Sequence, residues 1–501
     1  MFVLAFKPDM TLLTEGDAIV LTNVYGRSIR WRAPTPAWRR VLSVLAEKGA
    51  SLPELEAVHG ETGGESLATF HLRIIRLDER GVLTRTLNFA RPRPSSGGEG
   101  GTDEKSASPT SIVRFIPTRP GAFRQLKIDP AACYRVSRFT TVRPGDGNWQ
   151  VVHPLGAARL VVLEPRAMLL LAQLAAPTAI KDLCATLSDF TASEVGAVVE
   201  LLALAGAVAA CDPSGELEED RDEALAQWEP TDLMLHANSR TSIGRQDYGA
   251  SYRFRGRIEP LPAVKSVSDA DSIALPVPDM KTRCLQDPPF AAVVSSRRST
   301  RDFTGRRLTL AHLSEFLYRT ARVEAPLESK AGVPLAYTAS RRPYPGAGAC
   351  YPLELYLVVA DCEGLAPGLY HYDPLRHRLS TVCGSTEDCK QLLDGAGVAS
   401  GSKVPPPLLI VLAARFQRVL WKYQSMAYAA ILKDVGVLYH QMYLHATALG
   451  MAGCALGGGD AGLFARAAGT CAYRESSVGE FMLGGVLAHE FHTAAGSGEG
   501  N

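Results

Sequence analysis

The sequence predicts an α+β protein, a small duplicated module followed by a larger mixed domain. Three observations carry this. One order of strand and helix patterns runs twice in the first 212 residues, and a polar stretch rich in Pro, Gly and Ser separates the two copies. From Pro288 onward, apolar strand-like runs alternate with helical ones around one long helix-forming segment, Trp421 to Asp460.

The chain has 501 residues, enough for several domains. Its 53 Lys and Arg nearly balance its 52 Asp and Glu, for a net charge of +1. That balance gives no support to a nucleic-acid or membrane-surface role. The ten cysteines form no C-x-x-C pair and read as reduced thiols without a zinc site. No stretch reaches the ~18 apolar residues of a membrane span. MFVLAFKPDM lacks the basic start of a signal peptide, so a cytoplasmic protein is expected.

Residues 1–90 open with strands at Ala18–Val24 and Ser28–Trp31 around a turn at Tyr25-Gly26. Helices follow at Trp38–Glu47, Leu52–Val58 and Ser66–Arg80, then a stop at Gly81 and a closing strand Val82–Thr84. This is the order of a winged-helix-like module. Residues 91–110 read as a flexible linker. Residues 111–212 repeat the order. Strands fall at Tyr134–Val142 and Gln150–Val152 around a Pro144–Gly147 turn, helices at Arg166–Ala175, Ile180–Leu187 and Ser193–Leu204, and a strand at Val208–Cys211 after Gly206. The implied duplication has a period of about a hundred residues. Such modules bind DNA, bind a peptide as an added strand, or only brace a larger domain. The balanced charge of residues 1–90 disfavours DNA.

Residues 213–287 begin with an acidic run and continue as a turn-rich segment, Trp228 to Lys281, of the kind that wraps a domain. Residues 288–501 form the larger domain. Helices are expected at Phe290–Ser296, Leu310–Thr320, Ser385–Leu393 and the long segment. Strands are expected at Leu353–Ala360, Leu369–Tyr372, Leu408–Ala414 and Glu480–Gly484. In the long segment, Ile431, Val435, Leu438, Met442 and Leu449 recur at helical spacing.

Three stretches of this domain carry chemistry. Arg297, Ser299 and Arg301 place two guanidiniums and a hydroxyl where they can converge on a phosphate. Pro345-Gly346-Ala347-Gly348 forms a stiff loop with open backbone ahead of an apolar strand, suited to a flat ring needing N–H contacts. Gly457-Gly458-Gly459 ends the long segment with exposed backbone.

In this order, and with GLYHYDP (Gly368–Pro374), the segment Ser239–Lys265 and ESSVGEFMLGG (Glu475–Gly485), these stretches resemble the nitroreductase-like flavoproteins. Within that superfamily the chain is similar to SagB-type azoline dehydrogenases, which include the cyanobactin oxidases. The similarity runs from Trp228 to Gly485. It implies an α+β domain that dimerises around FMN, with Arg297, Ser299 and Arg301 on the phosphate and ribityl, Pro345 to Gly348 against the flavin ring, and Gly457 to Gly459 at its edge. Lys422 and Tyr423 match the Lys-Tyr pair implicated in catalysis. The chain departs from general nitroreductases at Gly346 and Ala349, where Ser and Asn are usual. It has Gln424, Ser425 and Met426 where many azoline dehydrogenases have an arginine.

The implied activity is oxidation of thiazoline or oxazoline rings in a ribosomally made, modified peptide to azoles. The precursor peptide and a cyclodehydratase would be partners, and the chain would be a homodimer without nucleic acid or membrane. One substrate C–H must leave as a proton, and Tyr423 as phenolate or neutral Lys422 can take it. Both have reference pKa values near 10, so one would have to be lowered. Neighbours on a helix point about 100° apart, so both reach one site only where the helix starts irregularly. An NAD(P)H-dependent nitroreductase or quinone reductase, or a non-catalytic peptide-binding scaffold, are the alternatives.

Overall fold

The computed structural model describes residues 1–486 apart from 24–27, 62–64, 92–107, 124–125, 127, 187–189, 241–247, 267–270, 304–306, 328–336 and 403. The expected turn at Tyr25-Gly26, most of the expected linker and part of Ser239–Lys265 therefore lie outside the described residues. The chain divides into two compact units, Met1–Tyr248 and Gly249–Asn501.

The first unit runs β1 (Phe2–Phe6), β2 (Met10–Glu15), β3 (Ala18–Asn23), β4 (Ser28–Trp31), α1 (Pro36–Glu47), β5 (Ala50–Ser51), α2 (Leu52–Gly60), α3 (Leu67–Glu79) and β6 (Leu83–Arg91). After β7 (Ser108–Pro117) the same order returns. It runs β8 (Cys133–Val136), β9 (Thr141–Gly145), β10 (Asn148–Val152), β11 (Ala158–Val162), α4 (Arg166–Gln173), β12 (Thr178–Ala179), α5 (Ile180–Thr186), α6 (Ala192–Leu204) and β13 (Val208–Ala210). Two short helices, α7 (Glu218–Arg221) and α8 (Pro230–Arg240), close the unit.

The pairing repeats as well as the order. β1 lies between β5 and β6, as β8 lies between β12 and β13, and β2-β3-β4 and β9-β10-β11 are both meanders. Local chemistry repeats too. Ser66 caps α3 by accepting from Thr69 N, and Thr191 caps α6 by accepting from Glu194 N. Gly81 and Gly206 follow those helices at φ +66° and +78°, the left-handed stop that glycine tolerates best. The two copies keep separate cores, one around Trp38, Leu42 and Phe70, the other around Phe115, Leu170 and Val198.

The repeat is longer than expected. Phe2 and Cys133 are offset by 131 residues and Leu67 and Ala192 by 125, because β7 and its flanks intervene. Strand reaches Arg91 on one side of the expected linker and restarts at Ser108 on the other. β7 pairs with both β6 and β11, so one seven-stranded sheet joins the copies. The expected Tyr134–Val142 strand breaks at Ser137, whose hydroxyl donates to Glu219 while Arg138 N donates to the same carboxylate. The acidic run thus serves partly as an anchor.

The second unit comprises β14 (Ser272–Ala274), α9 (Met280–Gln286), α10 (Phe290–Ser296), α11 (Leu310–Ala321), β15 (Ala325–Leu327), β16 (Ala339–Arg341), β17 (Leu353–Val359), β18 (Gly368–Asp373), β19 (Arg378–Gly384), α12 (Glu387–Ser400), β20 (Leu408–Arg415), α13 (Gln417–Leu420), α14 (Ala427–Ala448), β21 (Met451–Leu456), α15 (Ala461–Ala468) and β22 (Glu475–Val486). Its main sheet is antiparallel, in the order β14-β19-β18-β17-β20-β22-β21. Alternate residues of β17 and β20 face opposite sides. Leu355, Leu357, Ile410 and Leu412 pack with α11 and α14, while Tyr356, Val358, Leu409 and Val411 pack with α12 and α15. Both faces are covered, so these strands are continuously apolar.

Two expectations fail here. The segment Trp421–Asp460 is not one helix: α14 starts at Ala427, and Met451–Leu456 is a strand paired with β22. The segment Trp228–Lys281 is not uniformly irregular, since α8 lies in it, and it does not end at a boundary near 288. The unit boundary falls at 248/249 because the chain from Gly249 is tied into the second unit. Gly249 and Gln424 exchange backbone hydrogen bonds of 3.1 and 2.9 Å, and Lys265 pairs with Glu475 at 2.7 Å. No helix among the described residues is long and apolar enough to cross a membrane.

Candidate active site

Three stretches of the second unit are tied to α14. At its N-terminal end, Asp434 accepts a 2.9 Å hydrogen bond from Ala347 N and so fixes the Pro345–Gly348 loop. One turn on, Tyr439 accepts from Glu480 N at 2.7 Å and donates to Leu456 O at 3.4 Å, just ahead of the glycine run. One further turn on, Tyr443 exchanges a 2.8 Å hydrogen bond with Ser299 and accepts from Ala455 N at 2.8 Å. Arg297 lies 5.2 Å from the Tyr443 ring centre. At 1.5 Å per residue, Asp434 and Tyr443 are about 13 Å apart along the helix.

The loop is held in an unusual backbone. Gly348, Ala349 and Tyr351 all have positive φ, at 58°, 54° and 43°. Non-glycine residues avoid that region unless their surroundings impose it. Arg418, almost wholly buried, supplies the constraint, since its guanidinium donates to Cys350 O, Leu261 O and Thr338 O. Tyr351 donates to Tyr344 O at 2.9 Å.

Lys422 and Tyr423 sit in the irregular turn between α13 and α14, with Ser425 at φ +63°. This turn takes both side chains to Gly348. Lys422 Nζ donates to Gly348 O at 3.3 Å and to Tyr337 Oη at 2.5 Å, and lies 5.0 Å from the Tyr423 ring centre. A Cβ on Gly348 would overlap both Lys422 Nζ and Tyr423 Oη. Neither pKa is lowered. Burial works against the Lys422 ammonium, but its bond to Tyr337 and the neighbouring phenols more than reverse this, and its pKa rises. Burial raises Tyr423, and Lys422 offsets only part of the effect. At neutral pH the pair rests as ammonium and phenol.

The other expected residues are placed as follows. Arg297 is half-buried and Arg301 exposed, and neither guanidinium has a carboxylate partner among the described residues. Gly457 and Gly458 are exposed with open space where a Cβ would be, while at Gly459 a Cβ would overlap the Glu480 carboxylate. Burial raises Glu480 and, more strongly, Asp434, which is pushed up to about 6. Asp434 is 5% exposed, and its Oδ2 has no hydrogen-bond partner among the described residues.

Sequence reasoning missed Tyr337, Arg418, Asp434, Tyr443 and Glu480. Asp434 and Tyr443 were findable as polar interruptions of an apolar helix. Tyr337 and Arg418 gave no local signal.

Residues 294–484 match the nitroreductase family, and residues 134–247 match the cyanobactin oxidase ThcOx family. A Methanocaldococcus jannaschii protein described as a nitroreductase is 28% identical over 187 residues, which are 37% of this chain and 85% of that protein. The trifolitoxin-processing protein TfxB of Rhizobium leguminosarum bv. trifolii is 30% identical over 114 residues, and the microcin B17-processing protein McbC of Escherichia coli is 32% identical over 117. Each of these two matches takes 22% of this chain but only 31% and 42% of the relative, so the chain spans less than half of either.

Proposed function

Residues 294–484 form a nitroreductase-family domain in a chain that also carries a cyanobactin-oxidase segment at 134–247, and from these and the site we propose an azoline dehydrogenase. It would use FMN to oxidise thiazoline or oxazoline rings to azoles in a ribosomally made, modified peptide. Relatives named for processing trifolitoxin and microcin B17 support a role in peptide maturation. The observation that carries the reading is the meeting of Lys422 and Tyr423 at Gly348, on a loop held by Asp434 of α14, the helix whose Tyr443 bonds Ser299 beside Arg297.

The residues present fit FMN. Two arginines with no carboxylate partner among the described residues and a serine suit the phosphate and ribityl, while Gly346–Gly348 and Gly457–Gly459 offer backbone for the ring. Bound FMN would accept the electron pair that leaves with one ring hydrogen, and an external oxidant such as dioxygen would remove it. The protein's own part is proton transfer and placement. Tyr423 Oη, beside the Lys422 ammonium, takes the second hydrogen as a proton once the phenol is ionised, and the ammonium stabilises the phenolate. Activity should therefore rise with pH as Tyr423 ionises.

The duplicated modules of the first unit read as winged-helix-like peptide-recognition modules. In the second copy, β7 takes the outer edge of β11, whereas its counterpart β4 ends its sheet. The first copy thus offers at β4 an edge for an added peptide strand that the second copy lacks at β11. A cyclodehydratase as partner and an FMN-sharing homodimer complete the proposal.

The test is to load the purified protein with FMN and give it azoline-containing peptides. Loss of two hydrogens per ring by mass spectrometry supports the reading. No loss on several such peptides with intact flavin, together with turnover of a nitroaromatic by NAD(P)H, would replace it with the reductase.

A further inference from the structure

Tyr337 closes a triangle of polar atoms behind the reactive pair. Its Oη is 2.6 Å from Gly348 O and 2.5 Å from Lys422 Nζ, which is itself 3.3 Å from the same carbonyl. A carbonyl oxygen can only accept. The single phenolic proton of Tyr337 therefore goes to Gly348 O, and the phenol oxygen is left to accept from Nζ. In this arrangement Lys422 is a donor to both, and to act as a base it would have to give up these bonds. The open side of the ammonium faces Tyr423.

We propose that Tyr337 is a positioning residue, whose phenol holds Lys422 as a hydrogen-bond donor turned to Tyr423 and so leaves Tyr423 to take the substrate proton. This rests on the azoline reading for its reaction, though not for its hydrogen-bond logic. Other charged or titratable groups face the pair. The Arg418 guanidinium is 5.8 Å from the Tyr337 ring centre, the buried Cys350 thiol adjoins both cations, and the Asp434 carboxylate reaches the loop at Ala347. Arg418 is engaged on backbone carbonyls and Asp434 on Ala347 N, so Tyr337 is the side chain hydrogen-bonded to both Lys422 and the loop. The bond to Tyr337 is also the chief influence that raises Lys422 against the effect of burial.

Tyr337→Phe tests this by removing one oxygen and keeping the ring. With FMN and an azoline peptide, kcat should fall about tenfold with KM unchanged, the loss of one charge-assisted hydrogen bond. The variant should also lose activity at alkaline pH, where the released Lys422 gives up its proton, while the wild type shows no such limb. A second readout needs neither flavin nor substrate. Lys422 can be acetylated with acetic anhydride across a pH series and followed by mass spectrometry of its peptide. In the wild type it should label at higher pH than the pool of exposed lysines, and in Tyr337→Phe its midpoint should drop. An unchanged alkaline profile and labelling midpoint in the variant would overturn the proposal, as would wild-type Lys422 labelling with or before the exposed pool. If no azoline peptide is oxidised, the labelling shift still decides the role of Tyr337, so the two readings fail separately.

Discussion

Replacing Gly348 with alanine should separate catalysis from stability. Gly348 sits at φ 58°, ψ 29°. A left-handed alanine costs roughly 1–2 kcal/mol. The added Cβ would overlap Lys422 Nζ and Tyr423 Oη and lie 3.1 Å from Lys422 Cε. All three are outer atoms of long side chains, so the overlap is relieved by swinging those ends away, and the backbone need not shift. Stability should thus fall by about 1–2 kcal/mol, a Tm decrease of roughly 3–8 °C for a unit of this size. Catalysis has no such escape, because the atoms that move are the ones proposed to handle the proton. A displacement of about 1 Å there costs on the order of a hundredfold in rate. The assay is kcat at saturating azoline peptide, with bound flavin measured by absorbance and Tm by thermal melting. Gly395→Ala, on an exposed position of α12 with open space around it, is the control, and should leave kcat unchanged while adding up to about 1 kcal/mol of helix stability. The reasoning fails if Gly348→Ala keeps kcat within about threefold of the wild type. It also fails if activity is lost only because the protein unfolds.

Other perturbations probe the rest of the site and its frame. Asp434 has a folded pKa of about 6 against an ordinary 3.8, so between those values the folded chain holds a proton that the unfolded chain has lost. The stability contributed by the neutral acid is present at low pH and is lost as pH rises through 6. Asp434→Asn should therefore gain about 3 kcal/mol over the wild type at pH 8 and little at pH 4 by urea unfolding, and equal midpoints at both pH values would contradict this. Arg297→Ala and Arg301→Ala should each weaken FMN retention about tenfold or more, measured by fluorescence during equilibrium dialysis; unchanged affinity in both would remove the phosphate from this end of α14. Lys265 bonds to Glu475 at 2.7 and 2.8 Å and to Tyr356 at 2.7 Å. Lys265→Met strands a mostly buried carboxylate and should cost about 2–3 kcal/mol, of which the double variant with Glu475→Gln should recover most; no recovery would show that the pairing is not the cause.

What the sequence made legible, and what it did not, follows from the range of the interactions involved. The apolar stripe of α14, through Ile431, Val435, Leu438 and Met442, is buried as its spacing predicts, because a helix face is a local property. β17 and β20 were readable for a related reason, since strands covered on both sides need an unbroken apolar run. The errors lie where a distant partner overrides local preference. Met451–Leu456 is poor in β-branched residues and continues a helical run, yet it is a strand, because β22, about thirty residues on, offers it a ladder. Residues 421–426 look helical too, but Gly249 and Tyr252 hydrogen-bond Gln424 and Lys422 and pull this turn out of the helix. That same long-range tie is what brings Lys422 and Tyr423 to one point, a result a regular helix forbids. The site's constraints are likewise supplied from afar. Arg418 holds carbonyls at positions 261, 338 and 350, and Tyr337 reaches Lys422 across 85 residues. A lone arginine on a short helix and a tyrosine beside a strand carry no periodicity and no motif. Their meaning exists only once the chain has closed around them, so they show how this loop is held where its glycines and the Lys-Tyr pair could only suggest that it mattered.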